Sequence, residues 1–182
     1  GELNFPFERR GDFVVAVGEE ELPALDVLML QAKKNAVPGC LLLSGPEVRR
    51  REKNITPDVS GALWASTGGI TDPFAVTVAA AENAVMNGTE VKLNTEFKDF
   101  IMDGNRIIGI KTNRGDFYSR WVVNCAGLYS DFVMHQAGVR PEFIIKPRKG
   151  EYFVFDRADV QIDNVLFPVP SEKGKGILVT TT

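Results

Sequence analysis

Apolar and polar positions along the first third of the chain predict alternating strands and helices. Runs rich in β-branched or aliphatic residues predict strands from Asp12 to Val17, Cys40 to Leu43 and Gly61 to Ser66. Apolar residues at helical spacing predict a helix that begins at the acidic run Glu19 to Glu21 and extends to Ala36. The sequence Ser44-Gly45-Pro46-Glu47 predicts a second helix that ends near Glu52.

The middle of the chain changes from helical to strand periodicity. A bend is predicted from Thr67 to Ile70, where two glycines let the backbone lie close to another group. Asp72-Pro73 is a typical start of a helix, which is predicted to extend to about Asn87. Four strands then follow, the last three forming a β-meander: Glu90 to Leu93, Thr95 to Met102, Arg106 to Thr112 and Phe117 to Val123.

Beyond Pro141 the pattern favours strands again. A long strand is predicted from Ile144 to Phe155, interrupted at Pro147 to Gly150, followed by strands from Val165 to Val169 and Gly176 to Thr180. Turns are predicted at Asp163-Asn164 and Lys173-Gly174. The predicted fold class is mixed α/β (α+β), with β-rich segments at 1–70 and 141–182 around an α/β segment at 71–140.

The stretch from Arg120 to Asp131 passes from an apolar run at Trp121 to Val123 through small residues into a helix predicted from Asp131 to Ala137. In α/β proteins, turns of this kind lie at the carboxyl ends of strands, where free backbone N–H groups receive phosphates. Cys125, Ala126 and Gly127 are therefore candidates for contact with a nucleotide cofactor. The alternative is an ordinary strand-to-helix turn in which small residues allow tight packing.

Composition is that of a globular protein, with 182 residues, 44% hydrophobic residues and a net charge of −3. The arginine cluster at 49–51 is short, so nucleic-acid binding is poorly supported. Cys40 and Cys125 are predicted to be buried thiols, which fits a reducing cytoplasm, and no apolar run reaches the length of a membrane span. No metal-ligand spacing, nucleophile elbow or phosphate-binding loop is present, which excludes the commonest hydrolase and NTPase motifs.

Several ordered stretches together resemble one family, the FAD-dependent oxidoreductases of the D-amino-acid-oxidase/glycine-oxidase class, and within it the anaerobic-type glycerol-3-phosphate dehydrogenases. They are GALWASTGGITDP at 61–73, AAAENAVMNG at 79–88, VVNCAGLYSD at 122–131, KPRKGEYFVFD at 146–156 and KGILVTTT at 175–182. Members of this class begin with a GxGxxG turn that holds the FAD pyrophosphate, and this sequence lacks one. We therefore expect a central segment of a longer flavoenzyme that does not bind FAD tightly by itself.

The resemblance implies a partial FAD-binding domain with a β-meander at 71–140 and a substrate domain built from 1–70 and 141–182. It implies that the strand backbone at Phe97 meets the adenine and that Cys125, Ala126 and Gly127 pass near the cofactor, as does the bend at Gly68, Gly69 and Ile70. A role for the Cys125 thiol in packing is favoured over a redox role.

The same resemblance places Arg148, Lys149 and Tyr152 in a strand that reaches the substrate. Guanidinium and ammonium groups suit a phosphate or carboxylate, although a solvated bend beside Pro147 explains the two cations equally well. Tyr152 and Glu151 point in opposite directions along a strand, so at most one of them reaches the substrate. His135, the single histidine, is predicted to be a surface residue, and the catalytic base stays unassigned.

The implied activity is hydride transfer from a small hydroxy compound, most simply glycerol 3-phosphate, to FAD. Alternatives are a 2-hydroxy-acid dehydrogenase or an amino-acid oxidase of the same class, or an inert substrate-binding module. Expected partners are a small anionic substrate, the remainder of the parent enzyme and an electron acceptor, with a cytoplasmic location that extends to the inner face of the membrane. An unpaired sheet edge would also allow two copies to dimerise.

Overall fold

The structure, a computed structural model, describes residues 3–156, 158–171, 174 and 176–181. The chain divides into two compact units, one made of residues 1–88 and 154–182 and the other of residues 89–153. These limits differ from the predicted segments, because the helix that begins at Pro73 groups with both ends of the chain. The assignment of segments to a cofactor domain and a substrate domain stays a prediction.

In chain order the described residues form the following elements. The strands are β1 (Phe7–Arg9), β2 (Asp12–Val17), β3 (Cys40–Ser44), β4 (Val59–Ala65), β5 (Gly69–Thr71), β6 (Phe97–Asp103), β7 (Arg106–Thr112), β8 (Gly115–Tyr118) and β9 (Val165–Pro168). The helices are α1 (Leu22–Lys34), α2 (Gly45–Arg51), α3 (Pro73–Met86) and α4 (Ser130–Gln136). Short 3-10 turns at Glu19–Glu21 and Gly127–Tyr129 precede α1 and α4.

The first unit is organised around a sheet with strand order β3-β4-β2-β9, in which β2 and β9 are parallel and the other pairs are antiparallel. One face carries Phe13, Val15 and Leu43, which pack with the buried Val48 of α2. The other face carries Ala16 and Leu63, which pack with the buried Leu25 of α1. Alternate residues of each strand thus bury against different helices, as the period of two requires.

A buried carboxylate joins the end of α2 to the segment that leads into β9. Glu52 is 1% exposed, and its Oε2 accepts hydrogen bonds from the backbone N–H groups of Asp163 at 2.8 Å and Asn164 at 3.2 Å. Its Oε1 accepts a third from the N–H of Asn54 at 3.3 Å, and the Asn54 amide donates to the carbonyl of Gln161 at 2.6 Å. Because β9 pairs with β2 immediately afterwards, this cluster fixes where the returning chain meets the sheet.

The helix α3 is capped as its sequence predicts. The Asp72 carboxylate accepts hydrogen bonds from the N–H groups of Phe74 at 2.8 Å and Ala75 at 3.2 Å, and Pro73 occupies the first helical position. Ala79 is buried, whereas the large side chains of Phe74 and Met86 are exposed. The predicted helix is therefore confirmed to within one residue at its carboxyl end.

The second unit contains an antiparallel meander with strand order β6-β7-β8. The predicted strand from Arg106 to Thr112 is confirmed at both ends, because its partners on both sides lie in the same chain. The predicted turn at Asp103 to Asn105 is confirmed, with Gly104 at a φ of +55°. Phe97 and Phe100 make an edge-to-face contact with ring centroids 4.9 Å apart.

Several strand predictions are wrong. No strand forms at Glu90 to Leu93, Trp121 to Val123 or Ile144 to Phe155, and between Gly176 and Thr180 the pairing is a single bridge from Val179 to Leu166. An apolar run measures a tendency to be buried, whereas a strand also needs a partner for its backbone groups, and the described residues supply none for the first three segments. The predicted bend is corrected as well, since Gly69 and Ile70 lie in β5 and pair with β1. Lys173, in the last predicted turn, lies outside the described residues.

Candidate functional site

The turn from Cys125 to Gly127 is held by the side chain of Asn124. The Oδ1 of Asn124 accepts a hydrogen bond from the Ala126 N–H at 3.1 Å, and its Nδ2 donates to the Ser130 carbonyl at 2.8 Å. Gly127 has a φ of +57°, a left-handed conformation that suits glycine, and no atom lies within 4 Å of the position of an added Cβ. The turn therefore has a defined backbone that is open on the side of Gly127.

Asp131 ties the start of α4 to a later part of the same unit. Its carboxylate accepts hydrogen bonds from the N–H of Ile145 at 3.1 Å and from the N–H of Phe132 at 2.8 Å, and these bonds lower the pKa of Asp131.

The prediction that Cys125 is buried is wrong, because its thiol lies exposed in the open turn. Cys40, by contrast, is half-buried and packs against the buried cluster of Ala16, Leu25 and Leu63. The apolar residues before Cys125 led to the prediction of a buried thiol, but the turn that carries Cys125 does not lie in a core.

Phe97, the predicted adenine contact, is the first residue of β6, at the end of the meander where β7 turns into β8. The turn is fixed there by Asn113, whose Oδ1 accepts from the Glu96 N–H at 2.8 Å and whose N–H donates to the Glu96 carbonyl at 3.2 Å. A cavity of about 500 Å³ adjoins this end, lined in part by Asn94, Arg114 and Phe117. The sequence analysis did not single out Asn113 and Arg114, because the sequence Asn113-Arg114-Gly115-Asp116 is typical of an ordinary turn.

The glycines of the predicted bend are packed against the protein itself. An added Cβ at Gly69 would lie 2.6 Å from the carbonyl oxygen of Glu8, and one at Gly68 would overlap the Asp12 carboxylate. Ile70, half-buried, pairs with Glu8 in the ribbon of β1 and β5. The close approach that these glycines allow is therefore made by β1 and Asp12. A cofactor contact at Gly68, Gly69 and Ile70 stays a prediction.

Asp12 itself is a group that sequence reasoning did not single out. Its Oδ1 is buried and has no hydrogen-bond partner among the described residues, and burial raises the pKa of this carboxyl. Asp12 is the first residue of β2, where the Gly11 N–H also donates to the Gly68 carbonyl at 3.0 Å. The sequence does contain an indication of this group, because the acidic residue Asp12 stands at the start of the apolar run that forms β2.

The predicted substrate residues lie in an extended, exposed segment of the second unit. Arg148 is exposed, and Tyr152 is 86% exposed. The Nζ of Lys149 is 2.7 Å from the Oε1 of Glu151, so that charge is partly neutralised. His135 is exposed on α4, in agreement with its prediction as a surface residue. Among the described residues, no group of His, Cys, Asp or Glu side chains is arranged to bind a metal ion.

Comparison with known proteins defines the class. The whole chain, residues 1–182, matches the model of the DAO family, described as FAD dependent oxidoreductase. The chain belongs to this family. It is 41% identical over 187 residues to a glycerol 3-phosphate dehydrogenase of Caloramator mitchellensis. The aligned region covers 100% of this chain and 38% of that protein. It is 28% identical to the L-2-hydroxyglutarate dehydrogenase of Escherichia coli K12, covering 90% of this chain and 38% of that protein.

Solved structures show the same fold. The L-alpha-glycerophosphate oxidase of Mycoplasma pneumoniae with FAD bound superposes with a TM-score of 0.80 at 21% identity, covering 98% of this chain and 48% of that one. The L-proline dehydrogenase of P. horikoshii gives a TM-score of 0.74 at 24% identity, covering 98% of this chain and 51% of that one. At these identities the likeness establishes the fold alone. The chain spans 38% of the length of the first curated relatives it matches.

The residues of the chain fit a dinucleotide cofactor at two places. The turn at Cys125 to Gly127 is open beside Gly127, so a ligand can approach the backbone there. The cavity at the β7–β8 end of the meander is lined by an aromatic, a cationic and an amide residue, Phe117, Arg114 and Asn94, which suits a nucleotide. None of the helices in the described part of the chain is long and apolar enough to cross a membrane.

Proposed function

We infer that the protein containing this chain is an FAD-dependent dehydrogenase that oxidises glycerol 3-phosphate to dihydroxyacetone phosphate. The observation that carries this proposal is the 41% identity, along the whole chain, to a glycerol 3-phosphate dehydrogenase. The bound FAD supplies the redox chemistry by accepting a hydride from the carbon that bears the hydroxyl group. The contribution of this chain is to bind and orient the cofactor and the substrate.

For the cofactor, the turn Cys125 to Gly127 and the strand start at Phe97 supply backbone contacts. Asn124 and Asp131 hold this turn and the following helix through four hydrogen bonds of 2.8 to 3.1 Å. A turn that is already ordered loses less conformational entropy when a ligand binds, which favours affinity. Gly68, Gly69 and Ile70 contribute indirectly, by fixing the path of the chain into α3.

For the substrate, Arg148 and Lys149 supply positive charge. The planar guanidinium of Arg148 can donate two parallel hydrogen bonds to a phosphate, and Arg148 has no ion pair in the part of the chain that the structure describes. Lys149 is already paired with Glu151, so we assign it the weaker role. Tyr152 follows as a hydroxyl donor for a substrate oxygen.

A second candidate function is oxidation of L-2-hydroxyglutarate. Several relatives of 26% to 30% identity are L-2-hydroxyglutarate dehydrogenases, from bacteria and animals. Both substrates combine a secondary alcohol with an anionic group, so the same cations would serve either. Amino-acid oxidation has its support in fold likeness alone, through glycine oxidase and L-amino acid deaminase structures.

The test is a substrate comparison on the full-length protein, with a dye as electron acceptor. We expect glycerol 3-phosphate to give the highest kcat/KM, with L-2-hydroxyglutarate and amino acids far below it. Preferred oxidation of L-2-hydroxyglutarate or an amino acid would move the protein to the corresponding subfamily. The absence of both a flavin absorption band and turnover would favour the non-catalytic alternative.

The proposed enzyme works in the cytoplasm and passes its electrons to an acceptor at the inner face of the membrane. Free thiols at Cys40 and Cys125 support a reducing compartment. Self-association of the chain is part of the proposal, through an unpaired sheet edge that a second copy would cover. Cell fractionation with a salt wash tests the location, and light scattering tests the oligomeric state.

A further inference from the structure

The four-stranded sheet of the first unit has one open edge. In the order β3-β4-β2-β9, β3 pairs with β4 alone among the described strands, whereas at the opposite edge Leu166 of β9 is bridged to Val179. The sequence of β3 is CLLLS, which contains no charged residue and no proline. Charges and prolines are the usual protection of an exposed edge against pairing with a further strand. The edge at β3 lacks this protection.

The backbone of β3 presents Leu42 to the open side. The Gly39 carbonyl accepts a hydrogen bond from the Ser66 N–H at 3.4 Å, so Gly39 is directed toward the neighbouring chain that forms β4. Because this direction alternates along a strand of an antiparallel pair, Leu42 and Ser44 direct their backbone groups outward. The Ser44 N–H agrees with this assignment, since it donates to the Glu47 carboxylate at 2.8 Å and not to β4. The N–H and C=O groups of Leu42 are therefore available to another strand.

The helix α1 carries unpaired charges of both signs above this edge. It packs on β3 and β4, on the sheet face to which Cys40 contributes. Asp26, Leu30 and Lys33 share one flank of α1, since steps of four and three residues keep side chains on the same side of a helix, and all three are exposed. Neither Asp26 nor Lys33 forms an ion pair with a described residue. The flank thus offers both partners of an ion pair at once.

We propose that β3 is the dimer interface of this protein, and that the β3 strands of two copies pair antiparallel about Leu42 to form one continuous sheet. In this register Leu42 faces the Leu42 of the second copy and exchanges two backbone hydrogen bonds with it, while Leu41 faces Leu43. The same patch serves on both copies, as in the two-fold dimers that are the commonest soluble oligomers. The inference rests on the self-association in the proposed function, and it names the surface and the register.

The two α1 helices complete this interface. The two-fold axis sets them in opposite directions on the same face of the joined sheet, so Asp26 of each copy pairs with Lys33 of the other and the two Leu30 side chains lie between these pairs. Strands lie about 4.8 Å apart, so helices seated between β3 and β4 of each copy lie about 10 Å apart, a usual distance for packed helices. This match of opposite charges favours a second copy over an unrelated partner.

The first experiment measures the dimer Kd of the full-length protein by sedimentation equilibrium. We expect Leu42→Lys to raise this Kd about a hundredfold or more, because two lysines would then oppose each other at the two-fold axis. The matched control is Met102→Lys, which should leave the Kd unchanged. Met102 is 45% exposed, against 44% for Leu42, and it lies on β6, an edge strand of the meander. The melting temperature of each variant checks its folding.

Charge reversal tests the register. Asp26→Lys and Lys33→Asp should each raise the dimer Kd about tenfold, because each variant sets two pairs of like charges against one another. The double variant should return the Kd to the wild-type value, since it restores both ion pairs with their signs exchanged. These effects should shrink at high ionic strength. Glu82→Lys is the control, because it changes the net charge equally at an exposed position on α3.

Each outcome has a separate meaning. A monomeric wild-type protein would overturn the inference together with the proposed self-association, and would leave the proposed oxidation of glycerol 3-phosphate intact. A dimer that Leu42→Lys does not weaken would overturn the inference alone, because the copies would then meet through another surface. A double charge variant that dimerises no better than the single variants would overturn the register. Hydrogen exchange at the Leu42 amide that is equally slow in monomer and dimer would also overturn the inference, since the same chain would then cover β3.

Discussion

Two carboxylates in the first unit, Asp12 and Glu52, are removed from water in different ways. Glu52 is almost fully buried, and its oxygens accept hydrogen bonds from three backbone N–H groups. Asp12 is half-buried and leaves Oδ1 without a partner among the described residues. A buried acceptor is tolerated when it is satisfied and costs free energy when it is not, so the two residues should respond in opposite ways to mutation.

Replacement of Asp12 by Asn should raise the melting temperature at neutral pH. Burial raises the pKa of Asp12 in the folded protein, so the folded state binds this proton more tightly than the unfolded state does. The wild-type protein therefore loses stability as the pH rises from below the ordinary pKa of the carboxyl to above the raised one. Asn carries no charge and avoids this loss. Melting curves measured between acid and neutral pH should show the advantage of D12N growing with pH, and an equal advantage at all pH values would contradict this cause.

Replacement of Glu52 by Ala should destabilise the fold by about 2–4 kcal/mol, because three N–H groups in part-buried hydrogen bonds lose their acceptor. Glu52→Gln retains one carbonyl oxygen and should cost roughly half as much. Urea unfolding measures both changes. The control is Glu82→Ala on the exposed side of α3, expected to change stability by less than about 0.5 kcal/mol. A Glu52→Ala variant as stable as this control would show that the cluster does not anchor β9.

Replacement of Arg148 by Ala should raise the KM for the anionic substrate about tenfold, with kcat little changed, if Arg148 binds the phosphate equally in the ground and transition states. Arg148→Lys retains the charge but not the fork geometry of the guanidinium, so its KM should lie between those of the wild-type protein and Arg148→Ala. Steady-state kinetics of the full-length protein provide the measurement, with Arg140→Ala as the control because Arg140 is also exposed in the same unit. Identical KM values for the two alanine variants would favour the solvated-bend alternative for Arg148.

At the scale of elements, pairing within the chain decides which sequence predictions succeed. Asp12 to Val17 and Arg106 to Thr112 are predicted exactly, since both have antiparallel partners nearby. Trp121 to Val123 has equally strong strand residues and forms no strand, because sequence pattern reports side-chain preference and not the presence of a partner. The ribbon of β1 and β5 was missed for the opposite reason, as its short strands have little apolar pattern.

The candidate site was predictable in part. Small residues correctly indicated an open turn at Ala126 and Gly127, since the absence of side-chain bulk is visible in sequence. The same reasoning indicated a close approach at Gly68 and Gly69 but not the neighbouring group, because a glycine shows that something lies close without showing what. Here Asp12 and Glu8 lie close, and both are contacts that depend on strand pairing.

Replacement of Asn124 by Ala should loosen the turn at Cys125 to Gly127 without unfolding the unit. Both hydrogen bonds of the side chain are exposed, so we expect a loss of about 0.5–1.5 kcal/mol for each, toward the lower limit. Hydrogen exchange should become faster across 125–130 and remain unchanged elsewhere. Asn124→Asp retains the acceptor for Ala126 and should have a smaller effect. Asn87→Ala removes a comparable exposed amide contact, at 2.8 Å from the carbonyl of Asn83, and should leave exchange at 125–130 unaffected.

At the scale of the whole molecule, exposed apolar side chains are concentrated in segments that were predicted as strands. Trp121 is 84% exposed, Val123 79% and Phe153 89%. Continuous apolar runs of this kind are typical of strands buried on both faces of a parallel sheet. The chain spans 38% of the length of the first curated relatives it matches. In a protein of the relatives' length, further chain would be available to cover these apolar side chains.

Tryptophan fluorescence can test whether these segments are covered in a protein of the relatives' length. The chain has two tryptophans: Trp64 packs against Phe13 and beneath the Arg51 guanidinium, whereas Trp121 is exposed. In the isolated chain, Trp64→Phe should leave a red-shifted emission that iodide quenches, and Trp121→Phe should leave a blue-shifted, shielded one. In the full-length protein, Trp121 should become shielded as well, because strand pairing there would bury its apolar surface. Iodide quenching of Trp121 at the same rate in both proteins would show that the segment stays open to solvent, and a sheet completed through residues 121–123 would then be ruled out.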